Sequence, residues 1–277
     1  MRARDGLVRV LVWGAVVVVV AALFAIVADL AVRGGSQLSL AYLIDVPQRA
    51  GLQGGIGPVL ASTVALLVVA VAVALPLGVL TAVALFELTS PRFVVVVRRS
   101  LDLLAGVPSI VFGLFGMKLF CEVLGLGWSI LAGGLTLAGM VLPLVVRATD
   151  EGLRAVAVEQ RLACAAVGAS RLGAQWNVLL PQAAPGILAG VVLGTGRALA
   201  ETAAVLFTAG ASLRMPDSLL APGRALAVHV YTLSIEVPGG TTRAAAAGLV
   251  LLLLVSVSSV IAHVSVSWFA RWRVGAR

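Results

Sequence analysis

Six apolar runs, each of about 20 residues or more, dominate this chain: residues 7–32, 58–86, 103–124, 128–146, 184–209 and 244–269. A bilayer's hydrocarbon core takes about 20 apolar residues to cross as a helix, and lipid offers the backbone no hydrogen-bond partner. Runs of this kind therefore fold as membrane-spanning helices. Composition agrees, with 61% hydrophobic and 12% charged residues against about 25% charged in soluble domains. A water-soluble domain is excluded. The predicted fold is an all-α polytopic membrane protein with six transmembrane helices, which puts both termini on one side.

The first run follows Arg2, Arg4 and Arg9, as a signal peptide's apolar region would, but it exceeds the roughly 7 to 15 residues typical of one. It reads as a retained span. Pro76, inside the second run, lacks an N–H and is expected to kink it. The formal net charge of +8 rests on one lysine, Lys118, and on arginines grouped between the apolar runs. With 5% aromatic residues, the chain has too few stacking platforms for a nucleic-acid surface.

The arginines instead report topology. Thirteen lie at the termini or in the connections that share their side: Arg2, Arg4, Arg9, Arg92, Arg98, Arg99, Arg147, Arg154, Arg161, Arg171, Arg271, Arg273 and Arg277. Six basic residues lie opposite: Arg33, Arg49, Lys118, Arg214, Arg224 and Arg243. The positive-inside rule places the termini and the 148–181 connection in the cytoplasm. Cys121 and Cys164 fall on opposite sides without CxxC spacing, and His229 and His263 stand far from both. No zinc, other metal or thiol-redox motif is present in this pattern.

Two runs carry candidate functional residues. In the third, Gly106, Ser109, Gly113 and Gly116 recur at steps of three and four, which suits close helix packing; loosened by Pro108, the 106–109 segment also reads as a moving gate. In the fifth, Arg197 and Glu201 are four residues apart, with Thr208 two turns on, and helical spacing puts them on one face. A charge at membrane depth costs about 2.5 to 3.5 kcal/mol on insertion scales, so these must face protein or water. They read either as a self-neutralising pair or as a substrate pathway in which a guanidinium meets a passing oxyanion. Nothing in the chain forms a catalytic constellation, and the expectation is a transport protein, not an enzyme.

The 148–181 connection is the longest polar stretch on the cytoplasmic side. Thr149, Asp150 and Glu151 suit a helix start, followed by an amphipathic segment with Leu153, Val156 and Leu162 against Arg154 and Arg161. Gly168 breaks it, Ser170 caps a second short helix containing Trp176, and Leu180-Pro181 stops that helix. Two short helices broken at a glycine would present a peg to a soluble partner.

Within this stretch, Leu162-Ala163-Cys164 and Gly168, followed by Val178, Leu180 and Pro181, resembles the EAA loop of binding-protein-dependent ABC importer permeases. Leu162 stands where that pattern has Glu and Cys164 where it has the second Ala. Residues 104–116 and 196–209 are similar to the phosphate-specific ABC permeases of the PstA type, as are 54–58 and 225–231. That family usually has Gly-Glu-Thr-Ala-Pro where this chain has Ala200-Glu201-Thr202-Ala203-Ala204, and losing the Gly and Pro is expected to stiffen the helix.

The resemblance implies a type I ABC importer permease in the cytoplasmic (inner) membrane: residues 1–53 as an N-terminal segment with the first span, 54–269 as the permease unit, and 270–277 as a cytoplasmic tail. It implies that the loop, with Leu162, Ala163, Gly168, Val178, Leu180 and Pro181, docks on an ABC ATPase subunit, of which the transporter has two copies. Lys118 lies outside any Walker A pattern, so ATP and magnesium belong to that separate chain. A second, PstC-like permease would complete the pathway, and an extracytoplasmic phosphate-binding protein would deliver phosphate. Importers of molybdate, sulfate or phosphonate share the loop pattern, and a secondary anion carrier is the more distant alternative.

Overall fold

A computed structural model describes residues 2–87 and 90–274, with side-chain surroundings for 8–87, 90–261 and 264. The fold is helical. A long α1 (Arg2–Gly34) leads into a short α2 (Leu40–Ile44), α3 (Gly57–Glu87), α4 (Pro91–Gly106) and α5 (Ser109–Gly116), the last continued by a π-helical stretch, Met117–Val123. Then come α6 (Ile130–Arg154), α7 (Val158–Ala166), α8 (Arg171–Ala174), a π-helical turn at Gln175–Leu179, α9 (Leu180–Leu199) and α10 (Ala203–Thr208). The external α11 (Leu226–Ile235) and the long α12 (Thr241–Val274) complete the described chain. His263 and the predicted tail arginines lie outside the described side chains.

Among the described residues, five helical stretches are long and apolar enough to cross a membrane, and a bent pair supplies the sixth crossing. That pair corrects the expected third span. Residues 103–124 do not form one helix, because α4 ends at Gly106 and α5 starts at Ser109, with the two axes bent by 100°. Pro108 explains the break: it holds Val107 out of the helical region, and Val107 sits at φ −66°, ψ 130°. α4 is thus an amphipathic helix set at 100° to α5, and its Val94, Val97 and Leu101 pack on the cluster at the ends of α3 and α6. α3, by contrast, runs through Pro76 unbroken.

α6 is the central post, with α3 and α9 against it. Small residues set these distances, since lipid gives helices no hydrophobic drive to associate and close van der Waals packing must serve. At the α6–α9 crossing, a Cβ added to Gly186 would lie 2.8 Å from Gly152 Cα. One apolar core gathers Leu66, Phe112, Leu137, Met140 and Val141 with Ala204 and Val205, in the middle of the bundle. A second, with Leu85, Leu101, Val146, Leu153, Val156, Leu179 and Leu180, closes the cytoplasmic end.

The long cytoplasmic connection is largely helical. Thr149, Asp150 and Glu151 do not start a helix, as expected above, but lie near the C-terminus of α6. Ser170 does cap the next helix, accepting from Gly173 N–H at 3.1 Å. Pro181 does not stop it: the helix continues from Arg171 to Leu199. A wider turn precedes the proline, in which Leu180 N–H reaches Gln175 O, five residues back, and this widening lets the helix pass a residue that has no N–H to donate.

Candidate functional site

The fifth crossing is built from two pieces. α9 stops at Leu199 and α10 starts at Ala203, so Ala200-Glu201-Thr202 is a break in the helix despite lacking the family's Gly and Pro. Glu201 stabilises the restart: its Oε1 accepts from Ala204 N–H at 3.3 Å, a carboxylate at the positive end of a helix. The expected shared face of Arg197 and Glu201 is therefore lost, and among the described residues no ion pair joins them.

Arg197 follows Gly194, which packs on Val141 about midway along α6. Its residue is exposed in the single chain. A guanidinium cannot face hydrocarbon at that depth without the insertion cost named above, so this face of α9 requires a protein-lined or watered space. Thr208 is not presented to that space. It is fully buried, and its Oγ1 donates to Ala204 O at 2.7 Å.

The small residues of the third run separate at the bend. Gly113 and Gly116 are buried on α5: a Cβ on Gly113 would lie 2.8 Å from Ala204 Cα, and one on Gly116 would lie 2.8 Å from Thr136 Cγ2. Gly106, Pro108 and Ser109 do not extend that stripe, since they occupy the bend, and Gly106 has open space around it. The contact surface thus joins α5 directly to α10, next to Glu201, while the 106–109 segment forms a corner.

The cytoplasmic face carries the loop residues. On α7, Leu162 and Ala163 are exposed, so Leu162 does not join Leu153 and Val156 on a buried face as its spacing suggested. Gly168 takes φ +69°, a left-handed conformation that ends the helix and suits glycine. Leu180 is buried and Val178 partly so, with Pro181 beside them. Leu162, Val167, Leu172 and Trp176 leave a large apolar surface in the open, of the kind that marks a protein contact.

Sequence spacing gave no sign of Arg161's role. Its guanidinium donates to Leu153 O at 2.7 Å and Val156 O at 3.3 Å and lies 4.6 Å from the centre of the Phe86 ring. It ties α7 to the ends of α6 and α3. On the external side, Arg224 is buried and donates twice to Ala211 O. His229 is also fully buried, and burial, with the Arg224 charge second, holds its pKa down at about 4.

A family model for the inner membrane component of binding-protein-dependent transport systems matches residues 74–274. The chain is 40% identical over 205 residues to the phosphate transport system permease protein PstA of Mycobacterium leprae, covering 73% of this chain and 67% of that protein. It is 31% identical over 233 residues to the probable ABC transporter permease protein YqgI of Bacillus subtilis, covering 79% of each. A solved structure of the MetNI methionine ABC transporter in inward-facing conformations superposes with a TM-score of 0.60 at 18% identity, over 78% of this chain and 94% of that one. At that identity the likeness is one of fold.

Proposed function

The chain belongs to the family of inner membrane components of binding-protein-dependent transport systems, and from that membership we propose that it forms half of the pathway of an ATP-driven phosphate importer. A second, related permease completes the pathway. One of two ATPase subunits docks on α7 and the surface around Leu162 and Trp176, and a binding protein delivers phosphate to the external face. ATP-driven closure moves α7 and opens the Arg197 space alternately outward and inward.

The observation that carries this reading is Arg197, a guanidinium exposed in the single chain, on a helix long and apolar enough to cross a membrane, without an ion-pair partner among the described residues. It stabilises an oxyanion in transit through charge-assisted hydrogen bonds. Glu201 keeps the site from becoming a trap, because a permeation site must release what it binds. Its carboxylate also accepts a hydrogen bond from a protonated phosphate and repels fully deprotonated sulfate.

Radiolabelled phosphate uptake at micromolar concentration tests the proposal, in cells lacking this chain and other high-affinity phosphate systems, with sulfate uptake in parallel. Wild-type chain restores phosphate uptake alone. Arg197→Ala lowers it by about tenfold or more, the loss expected for a hydrogen bond to a charged group. Phosphate uptake unchanged by deletion, or wild-type uptake in Arg197→Ala and Glu201→Ala, refutes the substrate and site assignments.

A further inference from the structure

α4 meets α6 through two crossed ion pairs. Arg98 Nη2 lies 2.9 Å from Asp150 Oδ2, and Arg147 pairs with Asp102. Each helix thus contributes one cation and one anion. Asp150 is the focus: its side chain is only 15% exposed, and it also accepts from Arg154 Nε at 3.1 Å. Leu85, Leu101 and Val146 line the same cavity, of about 300 Å³, as these charges.

The charge order fixes one register. Sliding α4 one turn towards the C-terminus of α6 would set Arg98 against Arg154 and Asp102 against Glu151. Sliding it one turn the other way would bring Arg98 to Arg147 and Asp102 to the apolar turn around Pro143. Both shifts lose the pairs, and each brings like charges together. The Arg147–Asp102 pair is half-exposed, and such pairs contribute only about 0 to 1 kcal/mol to stability, so its content is positional rather than energetic.

α4 also lies between two sets of contacts. At one end, Arg161 fastens α7 to the C-terminal turn of α6, a few residues past Asp150. At the other, the 100° corner at 106–109 leads into α5, whose Gly113 rests on Ala204 of α10. Glu201 accepts from that same Ala204.

We propose that α4 is the lever that carries motion of α7 to the Glu201 break, and that Arg98, Asp102, Arg147 and Asp150 are positioning residues that hold the lever in register on α6. The proposal deepens the transport reading and rests on it. When α6 is displaced by α7, the crossed pairs take α4 with it, and the corner converts that displacement into a tilt of α5 against α10.

The test uses the whole complex reconstituted in vesicles. A fluorophore is placed at Leu114→Cys on the exposed side of α5, with Cys121 and Cys164 replaced by Ser. The signal change on trapping with ATP and vanadate is read alongside ATP hydrolysis and phosphate accumulation. Asp102→Arg, which faces Arg147, and Arg147→Asp, which faces Asp102, each reduce the α5 signal change by about tenfold, within the span of allosteric coupling factors, while hydrolysis persists. The double exchange Asp102→Arg with Arg147→Asp restores the signal, because it re-forms the pair between positions 102 and 147 with opposite polarity beside the unchanged Arg98–Asp150 pair.

Single variants that keep the full α5 response overturn the lever. So do singles that lose hydrolysis and response together, or a double exchange that rescues neither, since each of these marks a purely structural role. The fluorescence arm needs no substrate. A wild-type complex that shows the α5 response but accumulates no phosphate refutes the phosphate assignment and leaves the lever standing.

Discussion

Gly116 gives a direct test of how α5 sits on the bundle. Replacing it by Ala adds a Cβ that would lie 2.8 Å from Thr136 Cγ2, closer still to Thr136 Oγ1, and 3.0 Å from Thr208 Cγ2. Ordinary carbon contacts lie at about 3.5 to 4.0 Å, so something must yield by most of an ångström. Thr136 cannot swing aside cheaply, because its Oγ1 donates to Ala132 O at 2.8 Å, and an orphaned buried hydroxyl costs about 1 to 3 kcal/mol. Thr208 is held in the same way through Ala204 O. Moving α5 outward is the alternative, at the roughly 1 to 3 kcal/mol of core overpacking. Alanine returns up to about 1 kcal/mol through helix propensity, which leaves a net destabilisation of about 1 to 2 kcal/mol. Thermal unfolding of the detergent-solubilised chain, followed by the exposure of Cys121 to a thiol dye, should show it. Thr136→Ala removes both offending atoms, so Gly116→Ala with Thr136→Ala should recover most of the loss. A Gly116→Ala chain as stable as wild type, or a double variant no better than the single, would show that α5 does not press on α6 here.

Two further outcomes follow from residues outside the spans. His229 has its pKa lowered from 6.5 to about 4 in the folded chain, so the unfolded chain binds the extra proton first; its contribution is complete above pH 6.5, is lost as pH falls towards 4, and amounts to about 2 kcal/mol between pH 7 and 5. Unfolding temperature measured against pH should fall over that range and flatten in His229→Phe, and an unchanged slope would remove His229 as the cause. Arg161→Ala frees two carbonyls at the end of α6 and the Phe86 contact together, so ATPase copurified with the chain should lose most of its coupling to the α5 fluorescence change, while Arg161→Lys, a point charge without the planar fork, should recover only part.

Hydrophobic run length made the spans legible because lipid permits few alternatives to a satisfied helix. Where a span bends was less legible, since that depends on what the helix leans on. Pro108 breaks a helix and Pro76 does not, although both sit in apolar runs. Pro181 reads as a stop because the sequence does not announce a π-helical turn that can absorb its missing donor. The Arg197 to Glu201 spacing reads as one helical face, but i and i+4 share a face only if the helix continues, and Glu201 caps the start of the next one. The pairs linking α4 to α6 join residues 52 and 45 apart in sequence, a separation at which periodicity is silent. What periodicity does supply is the constraint that makes those pairs informative. An amphipathic helix with Arg98 and Asp102 one turn apart can meet α6 favourably in one register, so the charges that looked like a topology signal also position the helix that carries them.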